Sequence, residues 1–301
     1  MTDFIYLGID LAWGPRARTG IAVLDADGRL TASATVVTND EISAVLDHHV
    51  RGDVVAAIDA PLVVANETGR RPCEAEISRL FGAYHAGPHA SNLRKPWFQP
   101  QPRGAEIALA RGWTLDPDAR PGTGASCAIE VYPHPAMVSL FGLDRVIPYK
   151  NKQGRDFELL AFAFGELMDH MEATLGGVLG LSRSARWLEL RSLARGARRK
   201  SDLGRIEDEV DAIFCAYLAW MWVNDAFSLQ VYGDLASGYI VSPPPPSVPP
   251  RRAVAEHRRA RTSTARPASL ASEFKKTNLS LTQQEADALA AVAAAFYGGD
   301  G

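Results

Sequence analysis

Phe4-Ile5-Tyr6-Leu7-Gly8-Ile9-Asp10-Leu11-Ala12 decides the fold. An apolar, β-rich run of this kind reads as a buried strand, stopped here by Gly14 and Pro15. A single carboxylate, Asp10, stands inside it. An ionised acid in such surroundings is expensive unless it is paired or holds a cation. Val54-Val55-Ala56-Ala57-Ile58-Asp59 repeats the pattern, with Asp59 at the strand's C-terminal end and Pro61 turning the chain away. In open α/β sheets, ligands gather beyond the carboxyl ends of strands. An Asx-turn before the proline is the plainer account of Asp59.

Between these two strands the pattern predicts a hairpin and a helix. Thr19 to Leu24 and Leu30 to Val37 are strands joined by a turn at Asp27-Gly28. Thr38 and Glu41 have capping-box spacing, which starts a helix from about Asp40 to His48. A second helix is predicted from Glu67 to Ala83, with Pro72 in its first turn, followed by a long irregular region from His85 to Gly124. Ala128 to Tyr132 is a fifth strand, ended by Pro133. Helices are predicted over Arg155–Thr174, Ser184–Arg195 and Ile206–Val223.

The last of these helices carries the second half of the acidic set. Asp208 and Asp211 are three residues apart and share a face, and Glu207 lies close to it. Acids in a helix's first turn also complement its dipole without any metal. Glu130 sits in the apolar strand Cys127 to Tyr132 and opens the string Glu130-Val131-Tyr132-Pro133-His134-Pro135, where it can join the other acids or bind a nearby arginine. His134 is a candidate metal ligand or general base, or a hydrogen-bonded loop residue. Together the acids suit two hard divalent ions, Mg2+ or Mn2+, which take oxygen ligands and line up attacking water and leaving oxygen for in-line phosphoryl displacement by a two-metal mechanism.

Composition sets the bounds. The 301 residues are 47% hydrophobic and 22% charged, with a formal net charge of −3, so the whole molecule is not a bulk basic nucleic-acid binder. Cys73, Cys127 and Cys215 lie far apart, as expected in a reducing compartment, and Cys215 reads as a core residue. Met1 to Asp10 has no signal-peptide pattern, and Ala212 to Val223 is too short to cross a membrane. The expectation is a cytoplasmic protein with no membrane partner.

The motifs Gly8-Ile9-Asp10-Leu11-Ala12-Trp13, Ala57-Ile58-Asp59-Ala60-Pro61-Leu62, Arg71 with Cys73-Glu74, Glu130-Val131-Tyr132-Pro133-His134-Pro135, and Asp211-Ala212 with Cys215-Ala216 together resemble one family. It is domain-of-unknown-function family 429, described as predicted RNase H-like nucleases, and the likeness covers about residues 4 to 242. The resemblance implies an α/β, RNase H-like mixed five-stranded sheet flanked by helices, its second strand antiparallel to its neighbours. It implies metal-holding catalytic acids at Asp10, Asp59, Asp208 and Asp211, with Glu130 as a further motif residue. The Asp-x-x-Asp pair is similar to that of the Holliday-junction resolvase branch.

The domain is thus expected over 1–242, with an insertion at about 84–125, followed by a Pro-rich linker, a basic segment and a terminal helix over 243–301. Residues 251–276 hold eight Lys/Arg against two Glu. The expected partner is nucleic acid, with a homodimer left open. Candidate substrate-binding residues are Arg71, Glu74, His134, Lys150, Lys152 and Arg155. The basic row Arg183, Arg186, Arg191, Arg195, Arg198, Arg199, Lys200 and Arg205 is either a phosphate track or a solvated face. Arg94, Lys95 and Arg103 with Trp97 and Phe98 suit a single strand, or a loop pinned by an aromatic. Three functions compete: a metal-dependent nuclease, a non-catalytic scaffold that binds nucleic acid or a partner, and an actin-like ATP-dependent phosphotransferase. The last rests on Asp10, Gly14, Gly20, Asp59 and Gly122-Thr123-Gly124.

Overall fold

The computed structural model describes residues 4–14, 16–119 and 126–248. The chain runs β1 (Ile5–Asp10), β2 (Thr19–Leu24), β3 (Leu30–Val36), α1 (Asn39–His49), β4 (Val54–Ile58), α2 (Pro72–Phe81), α3 (Arg103–Ala110) and β5 (Cys127–Glu130). It continues through α4 (Pro133–Phe141), α5 (Phe157–Thr174), α6 (Gly176–Leu179), α7 (Ala185–Gly196), α8 (Lys200–Leu203) and α9 (Glu207–Asn224) to the strands β6 (Gln230–Asp234) and β7 (Gly238–Ser242).

Five strands form a mixed sheet in the order β3-β2-β1-β4-β5. β2 is antiparallel to both β1 and β3, while β1, β4 and β5 run parallel. The expected α/β architecture, with helices on both faces and the second strand reversed, is what the chain adopts. The parallel strands are apolar on both faces because both are covered. Leu7, Ile9, Val54, Ala56 and Ile58 pack with Ile42 and Leu46 of α1 and with Ile107 and Ala108 of α3. Tyr6, Val55, Ala57, Cys127 and Ile129 face the opposite core, which α5, α7 and α9 fill with Phe164, Met168, Trp187, Phe214 and Cys215.

The capping box at α1 forms as its spacing requires. Thr38 Oγ1 accepts from Glu41 N at 3.1 Å, and the Glu41 carboxylate accepts from Thr38 N at 2.9 Å. Elsewhere the structure corrects the reading. The helix predicted from Glu67 starts only at Pro72, because Asn66 Nδ2 donates to Thr68 O and Ser91 O and folds the preceding segment into a turn. The region read as irregular contains α3. Pro133, read only as the end of a strand, is the first residue of α4, where a proline's missing N–H loses no helical bond. The β6–β7 hairpin was not anticipated. It packs Tyr232 and Ile240 on Cys73, Ile77 and Phe81 of α2. The basic segment 251–276, the terminal helix and Gly122-Thr123-Gly124 lie outside the described residues. No described helix is long and apolar enough to cross a membrane.

Candidate functional site

Strand alternation decides which acids can meet. Asp10 follows Tyr6 and Gly8 on the α9 face of β1, and Asp59 follows Val55 and Ala57 on the same face of β4. Asp59 N donates to Ile9 O at 2.8 Å, which keeps the two strand ends side by side. Two glycines then let α9 lie directly on the sheet. A Cβ on Gly8 would overlap the Ala212 carbonyl and Ala216 N, and a Cβ on Gly20 would overlap the Asp208 carbonyl. Gly20 is the register partner of Asp10. Backbone-to-backbone contact therefore brings the first turns of α9, with Glu207, Asp208 and Asp211, up to Asp10 and Asp59.

A cation from elsewhere in the chain enters this cluster. Lys150 Nζ lies 3.7 Å from Asp10 Oδ2 and 3.5 Å from Glu207 Oε1, and it pairs closely with Asp211 Oδ2. The neighbouring Tyr149 donates its hydroxyl to Asp211 Oδ1 at 2.8 Å. Arg155 holds the backbone of this segment by donating to Pro148 O at 2.9 Å and to Lys150 O at 2.5 Å.

The electrostatics follow from burial and crowding. Burial raises the Asp10 carboxyl well above its ordinary range, Lys150 opposes that, and Asp211, Asp59 and Asp208 add to it. Asp59 is pushed up to about 7 by burial, against Lys150 and with Asp211. Glu207 and Asp208 are raised in the same way, first by burial. Burial works against the Lys150 ammonium, but Asp211, Asp10, Tyr149 and Glu207 outweigh it and hold the amine well above its usual value.

Glu130 does not join this set. It alternates onto the other face of β5 and meets Arg71 at 2.5 and 2.8 Å, as its second sequence reading allowed. Arg71 also pairs with Glu74 at 3.0 Å and donates to Val63 O at 2.9 Å, and Glu130 Oε2 accepts from Leu62 N at 2.9 Å. Arg71 and Glu74 are each 1% exposed, so this network clamps the chain leaving Asp59 rather than facing solvent. His134 lies 3.1 Å from the Tyr132 hydroxyl, and its pKa is driven down to about 3 by burial and by Lys150, Lys152, His89 and Arg155. That makes it neutral and weakly basic at neutral pH. Lys152 is exposed. In the basic row, Arg186 pairs with Glu209 and Glu189, Arg191 with Asp169 and Glu172, and Arg199 with Asp202.

The model of a family described as Protein of unknown function (DUF429) matches residues 8–234. The chain belongs to the DUF429 family. No curated protein and no solved structure matches it. The DUF429 span opens at Gly8, two residues before Asp10, and encloses every acid of the cluster, Lys150 and the Arg71–Glu130 clamp.

A hard divalent ion would place definite demands on the donor set of this DUF429 chain. Carboxylate oxygens are what such an ion prefers. Asp10 Oδ2 is buried without a hydrogen bond, and the Lys150 ammonium faces Asp211 Oδ2. Chemically the set fits. Among the described residues, however, no three carboxylate, imidazole or thiol groups stand close enough to ligate one ion as they are placed. Lys150 stands among them instead. Sequence reading found Asp10, Asp59, Asp208 and Asp211, treated Glu207 as a neighbour, and missed Tyr149. Lys150 was a candidate substrate-binding residue, not a partner of the acids. The only available signal was the string Ile147-Pro148-Tyr149-Lys150, which has no periodicity to place it.

Proposed function

We propose that this DUF429 chain is an RNase H-like, metal-dependent phosphodiesterase acting on nucleic acid. One observation carries the reading: five carboxylates, Asp10, Asp59, Glu207, Asp208 and Asp211, crowd around a single lysine. Arg18 reaches Asp208 from the rim at 3.4 Å. The set remains an excess of buried negative charge, which only protons or added cations can offset.

Asp10, Asp59, Asp208 and Asp211 would hold Mg2+ or Mn2+. When bound, the ion would polarise a phosphate oxygen and lower the pKa of an attacking water. The chain's own residues do the rest. Gly8 and Gly20 set α9 at the depth where its acids reach Asp10. Tyr149 fixes the Asp211 carboxylate by one hydrogen bond. The Arg71–Glu130 clamp holds Leu62 and Val63, and so the direction in which the chain leaves Asp59. Lys150 offsets part of the resting cluster's charge, and its flexible stem lets it turn to a substrate phosphate.

The test is direct. Purified protein is incubated with single-stranded, duplex, hybrid and branched substrates in Mg2+ or Mn2+, beside Asp10→Asn. Metal-dependent cleavage that Asp10→Asn loses supports the reading. No cleavage of any substrate, with Asp10→Asn binding metal as wild type does, removes it. The lysine also favours a second reading: a cluster already satisfied in part by Lys150 suits a non-catalytic scaffold that binds nucleic acid. Metal binding without turnover across that panel selects it.

A further inference from the structure

The inserted region builds a second feature beside the acids. Trp13, directly after β1, is a shared wall. On one side it lines a recess of about 60 Å³ with Asp59, His89 and Tyr132. On the other it lines a cleft of about 290 Å³ with Trp97, Asn39, Gln99 and Gln101. The second volume is at the lower end for small-molecule sites. The recess is too small for a ring and suits a water or an oxygen.

The Trp13 ring is held rigidly. Phe98 packs against it at 5.2 Å between ring centres, and Lys95 Nζ stands 5.2 Å from its centroid. Arg103 fixes the loop that carries it, donating to Ala12 O at 2.9 Å, Gly14 O at 3.2 Å and Val37 O at 3.0 Å, and to Asn39 Oδ1 at 2.8 Å. Phe98 and Arg103 are therefore buried supports, as the reading of a loop pinned by an aromatic expects. Trp97 differs. It is 48% exposed, and its ring lies over the Gly14 backbone, where a Cβ would come within 3.7 Å. A large aromatic left half in water, lining one cleft with a second tryptophan and with the amide side chains of Asn39, Gln99 and Gln101, has the components that recognise a flat heterocycle by stacking and edge hydrogen bonds.

We propose that the cleft between Trp13 and Trp97 is a subsite for one unpaired nucleobase of a single strand. The subsite rests on the phosphodiesterase reading: the base stacks there while its neighbouring phosphate lies past Trp13, toward Asp59. Inside a duplex a base has both faces stacked and its Watson–Crick edge engaged, so the substrate class is single-stranded or locally unpaired nucleic acid.

The test measures binding of a labelled short single strand by fluorescence anisotropy, in EDTA so that no cleavage occurs. The same strand made abasic, a blunt duplex and a proline-rich peptide are the comparison probes. The full-length protein is expected to bind the base-bearing strand about tenfold or more tighter than the abasic one. Trp97→Ala should abolish that difference and Trp97→Phe should keep part of it. Because Trp97 is half exposed, these variants should keep the wild-type melting temperature. Equal affinity for base-bearing and abasic strands, no effect of Trp97→Ala, or preference for the duplex or the peptide would overturn the subsite. Trp97-dependent binding with no cleavage in Mg2+ would retain the subsite and remove the enzyme. Cleavage indifferent to Trp97→Ala would do the reverse.

Discussion

Replacing Lys150 with methionine removes the ammonium from among Asp10, Glu207 and Asp211 and keeps most of the side chain's volume. If the amine competes with a divalent ion for the same carboxylates, Mn2+ affinity should rise about tenfold or more by calorimetry. Affinity that falls instead would mean that the lysine supports the ion. His134 gives a pH prediction. Its folded pKa of about 3 lies below the ordinary value near 6.5, so the unfolded chain binds the proton first. Stability from this group is complete above about 6.5 and is lost as pH falls toward 3, with a slope of at most about 1.4 kcal/mol per pH unit. His134→Asn should flatten that part of a denaturation profile, and an unchanged slope would place the imidazole in water. At this scale Asp10 and Asp59 were legible because each is a lone charge in an apolar strand. Lys150 was not, because its partners depend on how a segment without periodicity folds back over the sheet.

The elements succeed or fail by how closely they approach. Gly8→Ala or Gly20→Ala must push α9 off β1 and β2. Each should lower stability by about 1–3 kcal/mol or more in chemical denaturation and weaken Mn2+ binding as well, because α9 carries three of the acids. Wild-type stability in both variants would mean that the helix seats elsewhere. Glu130→Gln removes one of the two charge partners of buried Arg71 and leaves only Glu74. The expected loss is about 3–5 kcal/mol of stability, with Mn2+ affinity per folded molecule unchanged. A selective loss of metal binding would place Glu130 in the site after all. The sheet strands and the capped helix α1 could be read from short apolar, β-rich runs and from the Thr38–Glu41 pair. α4 could not, because Pro133 and Pro135 look like breaks unless a helix is known to start there. The β6–β7 hairpin was hidden because its short strands are only half apolar and its partner face is α2.

Across the whole molecule, the acids come from segments that lie far apart in the chain: the ends of β1 and β4 and the start of α9. Their order and spacing were readable, and the mixed sheet that unites them was implied by the family resemblance. The alternation that excludes Glu130 from the cluster became visible only with the register of β5. The central claim is that this cluster exists to hold divalent cations. Anomalous diffraction from crystals soaked in Mn2+ tests it most directly. The expected map shows manganese bound by Asp10 and Asp59 together with Asp208 or Asp211, and Lys150 turned away from Asp211. A map with no manganese among these carboxylates, and the lysine still paired with Asp211 at saturating Mn2+, would contradict the account.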